Sequence, residues 1–477
     1  MKMIINGAWT DAFDKGTFDV FNPANGEYID SAPFAREQDV ELAVAAAKKA
    51  QKIWAKVPIY EKGEILMRFV AMVERDKEEL AKLLSAESGK PIREARAEIA
   101  NIPIAFKGFV ERAKHLYGEV IPNGVEAGQE HHLVMTVREP IGVIACIIPF
   151  NFPCDLFDQK VAPTLLAGNA AIVKPPEDNP LTLCRLTGML NEAGVTPGAL
   201  QILTGKGSVA GAALCAHPDV HAITLTGSTE VGIITYKKAA ERLAHVSLEL
   251  GGNDAFVLFE DGDVDLAVEE MIWGRMYNCG QVCCASKRYL IHNSRREEFV
   301  KKAVERIKKL KVGNPAEEST DIACLISEKA AKGVEEQVKL TIEQGGKLVL
   351  GGTRNGAFYA PTVIDDIPKT ADVMTDLEIF GPVVSVTGFD TEEEAIALAN
   401  ASRFGLCGCV FTEDMKRAFR VASQLECGGV VLNGASFYRS FEMPFGGYKD
   451  SGIGTEGVMS TFDEVTRTKN IVLKNIL

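Results

Sequence analysis

The sequence predicts an α/β fold whose larger part is a doubly wound parallel sheet. Five short apolar runs, "VIACII", "AAIVK", "LQILTG", "AITLTG" and "VSLEL", follow one another between residues 143 and 250. The segments that separate them are long enough to form helices. This alternation of strands and helices is typical of βαβ units, in which helices join parallel strands and cover the sheet.

The elements before this series are a short β segment and three helices. The β segment is "MIINGAW", and the turn "NPANGE" follows it. Apolar residues at helical spacing predict helices over residues 38–54, 61–84 and 93–115. Gly89-Lys90-Pro91 separates the second helix from the third, because glycine and proline interrupt helices.

A second α/β series begins near "DAFVLFED" and continues to about residue 434. The glycine-rich segment "PFGGYKDSGIG" comes after it, and the chain ends in "KNIVLKNIL", which has the composition of a strand. The sequence therefore predicts two α/β units and a C-terminal β element.

Composition and charge argue against two classes of partner. The chain has 477 residues, of which 46% are hydrophobic and 25% charged. The net charge of -13 argues against nucleic-acid binding. No apolar run reaches the roughly 20 residues of a membrane span, and the N-terminus resembles no export signal. We therefore expect a cytoplasmic protein with reduced cysteines and no nucleic-acid or membrane partner.

Three of the eleven cysteines lie together in "NCGQVCCAS". The spacing Cys279-x3-Cys283-Cys284 lacks the paired ligands typical of zinc sites, so no metal is predicted. A disulfide between Cys283 and Cys284 is disfavoured because it closes a strained ring. Two alternatives remain, namely buried apolar thiols and one reactive thiolate whose pKa is lowered by its surroundings.

Two polar side chains are candidates for acid–base chemistry and for oxyanion binding. Glu249 in "SLELGG" lies between two leucines, and burial there raises the pKa of a carboxyl toward that of a general base. The alternative is a glutamate on the surface of a strand. Asn151 in "PFNFP" has rigid, apolar neighbours that suit an oxyanion donor, or it forms a turn.

Nucleotide binding is indicated near the ends of several strands. "TGKGSVAG" places three glycines, among them Gly207, between a strand and a helix, although the spacing is one residue longer than the dinucleotide fingerprint. Ser228 in "LTGSTEVG" is either a helix cap or part of an anion site. Lys174 and Glu177 in "IVKPPED" follow a strand, where open α/β sheets bind ligands. They hold ribose hydroxyls or are exposed loop charges.

Taken together, these segments resemble the aldehyde dehydrogenase family. The motifs "PFNFP", "GNAAIVKPPE", "LTGSTEVG", "LELGG", "GQVCCA", "EIFGP" and "PFGGYKDSGIG" occur in the family's order over nearly the whole chain. The resemblance implies oxidation of a small aldehyde to the carboxylic acid with NAD as the acceptor. Many members have Trp where this chain has Phe150.

The resemblance also assigns the catalytic roles. The family nucleophile follows Gly-Gln-x, which selects Cys283 and leaves Cys279 and Cys284 as lining residues. The Asn151 amide and the Cys283 backbone N–H are expected to hold the oxyanion of a thiohemiacetal. Glu249 is expected to activate the water that hydrolyses the thioester formed after hydride transfer.

Relatives that pass the acyl group to coenzyme A typically lack this glutamate, so the resemblance favours the free acid as product. Lys160 and Glu456 match positions that support proton movement near the base. A coenzyme A-acylating enzyme and a non-catalytic relative remain the alternatives.

For the cofactor, Lys174 and Glu177 match the clamp on the adenosine ribose. A glutamate there repels a 2′-phosphate, so NAD is favoured, with NADP as the alternative. The other cofactor positions are the pyrophosphate contact Ser228, the adenine neighbour Gly207, the nicotinamide-ribose ligand Glu378, and the ring neighbours Phe380 and Phe150.

The family architecture implies three parts. A coenzyme-binding domain comprises residues 1–118 and 139–248, and a catalytic domain comprises residues 249–450. An oligomerisation arm and the C-terminal tail comprise residues 119–138 and 451–477. Because the C-terminal strand is expected to extend a partner's sheet, the resemblance implies a homodimer or a homotetramer.

The substrate tunnel of the family falls on Phe152, Tyr277, Tyr438 and Arg439. Arg439 is unusual for a tunnel that serves plain alkyl or aryl aldehydes, and a guanidinium pairs well with carboxylate or phosphate. We therefore expect a short hydroxylated or anionic aldehyde such as lactaldehyde, unless this side chain folds out to solvent. The motifs are closest to those of lactaldehyde dehydrogenase-like members. Succinate semialdehyde, glyceraldehyde 3-phosphate and aromatic aldehydes are the alternatives.

Overall fold

The computed structural model describes residues 1–476, so Leu477 of the predicted tail lies outside the described residues. The strands are β1 Met3–Ile5, β2 Ala8–Thr10, β3 Thr17–Phe21, β4 Tyr28–Pro33, β5 Val120–Ile121, β6 Leu133–Pro140, β7 Val143–Ile147, β8 Ala170–Lys174, β9 Leu200–Ile202, β10 Ala222–Thr226, β11 His245–Glu249, β12 Asp254–Leu258, β13 Ser286–His292, β14 Lys347–Leu350, β15 Arg354–Asn355, β16 Phe358–Tyr359, β17 Thr362–Asp365, β18 Val383–Phe389, β19 Phe404–Gly405, β20 Cys407–Phe411, β21 Gly429–Leu432, β22 Tyr448–Lys449, β23 Gly452–Ile453 and β24 Thr466–Leu473.

The α-helices are α1 Glu37–Trp54, α2 Ile59–Ser88, α3 Ile92–Ala113, α4 Pro153–Leu166, α5 Leu181–Glu192, α6 Ala212–Ala216, α7 Thr229–Ala240, α8 Val264–Met276, α9 Asn293–Ile307, α10 Glu328–Glu343, α11 Glu392–Asn400, α12 Met415–Ala422 and α13 Thr461–Val465. The three helices predicted near the N-terminus are confirmed as α1, α2 and α3. Gly89 ends α2 in the left-handed conformation, with φ 72°, which glycine adopts without a Cβ clash.

The predicted α/β fold is confirmed by two large sheets. The first has the strand order β2-β1-β9-β8-β7-β10-β11-β23. Its five central strands are parallel, and they are the five apolar runs of the sequence. The chain adds strands in one direction from β7 to β9 and in the other direction from β10 to β11, so the sheet is doubly wound.

The second sheet has the order β14-β17-β18-β13-β12-β20-β21 and is parallel except at β14. Strands β12, β13 and β20 are buried over nearly their whole length, as expected for a parallel sheet covered on both faces. A third, small sheet consists of β24, β6 and β5 in antiparallel order.

Apolar packing holds the layers together. One large core lies between the first sheet and helices α2, α3, α4 and α5, and another surrounds the second sheet. Among residues 1–476, no helix has the length and the hydropathy that a bilayer crossing requires.

Candidate active site

Five of the predicted site residues lie along the carboxyl edge of the first sheet. Doubly wound sheets bind ligands at this edge, where the strand order reverses, and here the reversal falls between β7 and β10. The residues that follow or end these strands are Asn151 after β7, Lys174 at the end of β8, Gly207 after β9, Ser228 after β10 and Glu249 at the end of β11.

Cys283 lies on a tight loop between α8 and β13. Asn278 and Cys279 adopt left-handed backbone conformations, with φ 48° and 54°, and Gly280 has φ 77°. The Gln281 side chain holds the loop, because its Nε2 donates to the Asn278 carbonyl at 3.1 Å and its Oε1 accepts a backbone N–H at 2.9 Å. The nucleophile candidate therefore has a fixed position.

Cys283 differs from its two neighbours in exposure and in ionisation. It is partly exposed, whereas Cys279 and Cys284 are buried, and all eleven cysteines are free thiols. A hydrogen bond from the Cys284 thiol, together with the charges of Lys287 and Arg439, lowers the pKa of Cys283 to about 7 against the effect of burial. About half of the Cys283 thiol is therefore ionised at neutral pH. Residues 1–476 contain no cluster of His, Cys, Asp or Glu suited to a metal.

Asn151 is tied to the nucleophile loop. Its Nδ2 donates to the carbonyl oxygen of Gln281 at 3.2 Å. Its own backbone carbonyl accepts from Lys90 Nζ and from Asn278 Nδ2, both at 2.9 Å. Lys90 forms a buried ion pair with Glu98, which accepts a backbone N–H at the start of α4. The sequence offers no signal that links residue 90 to residue 151, beyond a lysine placed between a glycine and a proline.

Glu249 is a buried carboxyl at the end of β11, with 3% of its surface exposed. Neither carboxyl oxygen has a hydrogen-bond partner among residues 1–476. Burial raises the pKa of Glu249 well above its usual range, and the negative charge of Glu456 adds to this, while Arg439 and Lys160 oppose it. A raised pKa makes a carboxylate a stronger base, which suits a residue that takes a proton from water.

Lys160, Glu456 and Arg439 form a charged chain beside Glu249. Lys160 pairs with one carboxylate oxygen of Glu456, and Arg439 donates to the other at 3.1 Å. The Arg439 guanidinium also stacks over the Phe445 ring at 4.1 Å. The side chain of Arg439 thus folds into the protein, and Glu456 neutralises part of its charge.

At the adenosine end of the predicted cofactor site, Lys174 and Glu177 lie close to Gly207. Glu177 accepts the N–H of Gly207 at 2.7 Å. A side chain at position 207 would place its Cβ 3.9 Å from Lys174 Nζ, so Gly207 lies close to both charged groups. Burial lowers the pKa of Lys174 to about 8. Ser228 caps α7 by accepting the N–H of Val231. These donors and acceptors fit a ribose and a diphosphate.

The residues at the nicotinamide end of the predicted cofactor site also fit the cofactor. Glu378 accepts the N–H of Gly252 at 3.3 Å and pairs with Lys287 at 3.2 Å. Phe150 and Phe380 meet edge to face with centroids 6.0 Å apart. These two rings and Glu378 line a cleft of about 520 Å³, which has room for a planar ring beside the nucleophile loop.

The predicted tunnel residues do not all come together. The rings of Phe152 and Tyr277 stack with centroids 6.1 Å apart, and both pack against Phe437, which was not predicted. Tyr438 lies apart from them and is 55% exposed. The adjacent aromatic pair in "SFYRSF" was the signal for Phe437, but a sequence does not say which of two adjacent rings points inward.

Comparison with known proteins agrees with this geometry. The model of the aldehyde dehydrogenase family matches residues 9–471. A 3-sulfolactaldehyde dehydrogenase of Priestia aryabhattai is 38% identical over 99% of this chain and 97% of its own. A lactaldehyde dehydrogenase of Methanococcus aeolicus is 35% identical over 99% of both chains.

Among solved structures, betaine aldehyde dehydrogenase from Staphylococcus aureus in complex with NAD+ superposes with a TM-score of 0.95. It is 33% identical and covers 100% of this chain and 94% of its own. The chain therefore belongs to the aldehyde dehydrogenase family, whose members carry out NAD(P)-dependent oxidation of aldehydes.

Proposed function

We propose that this enzyme oxidises a short hydroxylated or anionic aldehyde to the free carboxylic acid, with NAD as its acceptor. The observation that carries the hydrolytic assignment is Glu249, a buried carboxyl with no hydrogen-bond partner in residues 1–476 and a raised pKa. An enzyme that released its acyl group to coenzyme A would not need this carboxyl to activate water.

In the first step the Cys283 thiolate attacks the aldehyde carbon and forms a C–S bond, and the carbonyl oxygen becomes an oxyanion. The Asn151 amide and the Cys283 backbone N–H donate to this oxyanion. Such hydrogen bonds stabilise a developing charge most strongly in a site that excludes water. NAD, when bound, accepts the hydride that leaves this carbon. Lys174, Glu177 and Glu378 are the residues that would hold its two riboses.

In the second step Glu249 takes a proton from water, and the hydroxide attacks the thioester carbon. The C–S bond breaks, which releases the acid and restores the Cys283 thiolate. The charged pair of Lys160 and Glu456 lies beside Glu249 and supports the release of this proton to solvent. Because Glu177 is a carboxylate at the adenosine ribose, a 2′-phosphate is repelled, which favours NAD over NADP.

Activity measurements test this proposal. Lactaldehyde, succinate semialdehyde, glyceraldehyde 3-phosphate and benzaldehyde are compared by kcat/KM from NADH absorbance, with NAD and with NADP. We expect a hydroxylated or anionic aldehyde to lead and Cys283→Ala to be inactive. Preference for benzaldehyde would contradict the substrate class. Faster turnover on addition of coenzyme A would contradict the hydrolytic mechanism, and no turnover of any aldehyde would favour a non-catalytic relative.

The assembly we propose is a homodimer or a tetramer of dimers. Strand β24 is the edge of the small sheet, and Ile471 and Val472 on it are 39% and 53% exposed. On α7, Val231 and Ile234 are 48% and 62% exposed. Light scattering during size exclusion measures the mass, and a monomer at micromolar concentration would contradict the proposal.

The proposal also covers the domains of the chain and its location in the cell. We propose domains at residues 1–118 and 139–248, at 249–450, and at 119–138 and 451–477, with β23 of the last segment pairing with β11 of the first sheet. Eleven free thiols are consistent with a reducing cytoplasm.

A further inference from the structure

Lys287 is a buried cation between the nucleophile loop and the predicted nicotinamide site. It is the second residue of β13, and 1% of its surface is exposed. Its Nζ lies 2.6 Å from the carbonyl oxygen of Cys283, 3.3 Å from that of Ala285 and 3.2 Å from Oε1 of Glu378. An ammonium group has three N–H donors, so these three oxygens match all of them. No step of the proposed reaction uses this lysine directly.

The neighbouring cation, Arg288, shows that burial of Lys287 is not a matter of strand packing alone. Side chains alternate along a strand, so Arg288 lies on the opposite side of β13 from Lys287. The Arg288 guanidinium donates to four backbone carbonyl oxygens and pairs with no carboxylate there. Arg288 therefore holds the backbone together, whereas Lys287 contacts the nucleophile residue and a predicted cofactor ligand.

Two glycines let these groups come together. A side chain at Gly251 would place its Cβ 2.6 Å from Oε2 of Glu378, and one at Gly252 would place its Cβ 3.0 Å from the carbonyl oxygen of Cys283. The Gly252 N–H also donates to Oε1 of Glu378 at 3.3 Å. Any larger residue in this pair would push Glu378 or Cys283 away from Lys287. The Gly-Gly pair that follows Glu249 thus makes room for the contact.

Glu378 faces the cofactor from this arrangement. It lines the cleft beside Phe150 and Phe380, and its side chain is 21% exposed. The contacts with Lys287 and with the Gly252 N–H both fall on Oε1. Oε2 is left for a ribose hydroxyl, and Lys287 fixes the direction in which the carboxylate presents it.

The same lysine acts on the nucleophile. The charges of Lys287 and Arg439 lower the pKa of Cys283, and the charge of Glu378 raises it. Lys287 lies between Glu378 and Cys283, so it offsets the carboxylate that opposes the thiolate. The other titratable groups that face the thiol are Cys284, Glu249, Asp254 and Cys407.

We propose that Lys287 is a positioning residue that links the cofactor site to the nucleophile. Its ammonium group holds Glu378 toward the nicotinamide ribose and holds the carbonyl of Cys283, so one side chain fixes both partners of the hydride transfer. This inference rests on the proposed function, because it takes Glu378 as the ligand of that ribose. Loss of Lys287 must then change NAD binding and the Cys283 thiol together.

Lys287→Met removes the ammonium group and keeps most of the side-chain volume. We expect the Kd for NAD, measured by calorimetry without aldehyde, to rise about 10-fold, the equivalent of one hydrogen bond to a charged group. In the cofactor-free enzyme, the pH midpoint of Cys283 alkylation by iodoacetamide should rise above about 7. Lys62→Met is the matched control, since this buried lysine packs over Trp54 and is not among the groups that shift the pKa of Cys283. Neither quantity should change in it.

Glu378→Gln breaks the same ion pair from its other end, at a partly exposed side chain. We expect it to weaken NAD binding as well, but to lower the alkylation midpoint, because it removes a negative charge that opposes the thiolate. A general loosening of the site would not move the two midpoints in opposite directions. The double variant should bind NAD about as weakly as Glu378→Gln alone, since Lys287 acts on the cofactor through Glu378.

The outcomes separate this inference from the proposed function. If Lys287→Met leaves the Kd for NAD and the midpoint unchanged, the link is wrong, while the proposed oxidation stands. If the losses of NAD affinity multiply to about 100-fold in the double variant, the two residues act independently and the link is wrong. Midpoints that move in the same direction would also overturn it. If the unmodified enzyme does not bind NAD, the proposed function fails and this inference fails with it.

Discussion

Replacing Cys284 with alanine should raise the pKa of Cys283. The Cys284 thiol contributes most to the low pKa of Cys283, and the pKa of Cys284 itself is raised well above its usual range, so it remains a donor. Without it, only Lys287 and Arg439 oppose the effect of burial. The pKa of Cys283 then moves from about 7 toward the usual value of about 8.5.

The size of the effect follows from the ionised fraction. At about pH 7, a thiol with a pKa of about 7 is about half ionised, whereas one with a pKa of about 8.5 is about 3% ionised. Since attack requires the deprotonated form, a complete shift lowers kcat/KM about 15-fold near pH 7. The loss disappears above about pH 9.5, where both thiols are ionised.

The assay measures kcat/KM and the rate of Cys283 alkylation by iodoacetamide as functions of pH. Cys284→Ser should behave like the unmodified enzyme, because a hydroxyl also donates. Cys279→Ala is the matched control, since this buried thiol is not among the groups that shift the pKa of Cys283. An unchanged pH midpoint in Cys284→Ala would refute the reasoning.

Two further changes probe the base and the support of the oxyanion donor. Glu249→Gln should still give one NADH per site in a rapid burst, while steady turnover falls by roughly 100-fold or more because the general base is lost; a lost burst with normal hydrolysis would contradict this. Lys90→Met leaves Glu98 buried without its partner and should cost about 3–5 kcal/mol of unfolding free energy, measured by denaturant titration. The exposed pair of Lys82 and Glu78 is the control, because Lys82→Met should cost less than about 1 kcal/mol.

Much of the fold could be predicted because it depends on local patterns. The apolar runs from β7 to β11 are each buried strands, and glycine and proline mark the break between α2 and α3. Cys283, Glu249 and Asn151 were identified by short motifs whose residues are close in sequence. Asn151 and Glu249 follow or end strands of the first sheet, so Brändén's rule places them at one edge. Cys283 precedes β13 of the second sheet, and only the structure brings its loop to Asn151.

The remainder depends on contacts between distant parts of the chain. Lys160 pairs with Glu456 across 296 positions, and Lys90 reaches Asn151 across 61. A pattern of hydrophobicity predicts neither of these contacts. The sequence indicated that Arg439 was unusual, but only the structure shows that Glu456 shares its charge. The burial of Asp158 and Gln159 in α4 was also not predicted, because both residue types usually lie at the surface.

The charges of the site also order its two steps. The negative charge of the Cys283 thiolate is among the causes that raise the pKa of Glu249, so the two groups do not both ionise readily in the free enzyme. Formation of the thioester removes that charge, while Arg439 and Lys160 continue to favour the Glu249 carboxylate. The pKa of Glu249 therefore falls once Cys283 is acylated. Acylation of Cys283 thus favours the ionised form of Glu249 at the stage when the thioester needs a base to activate water.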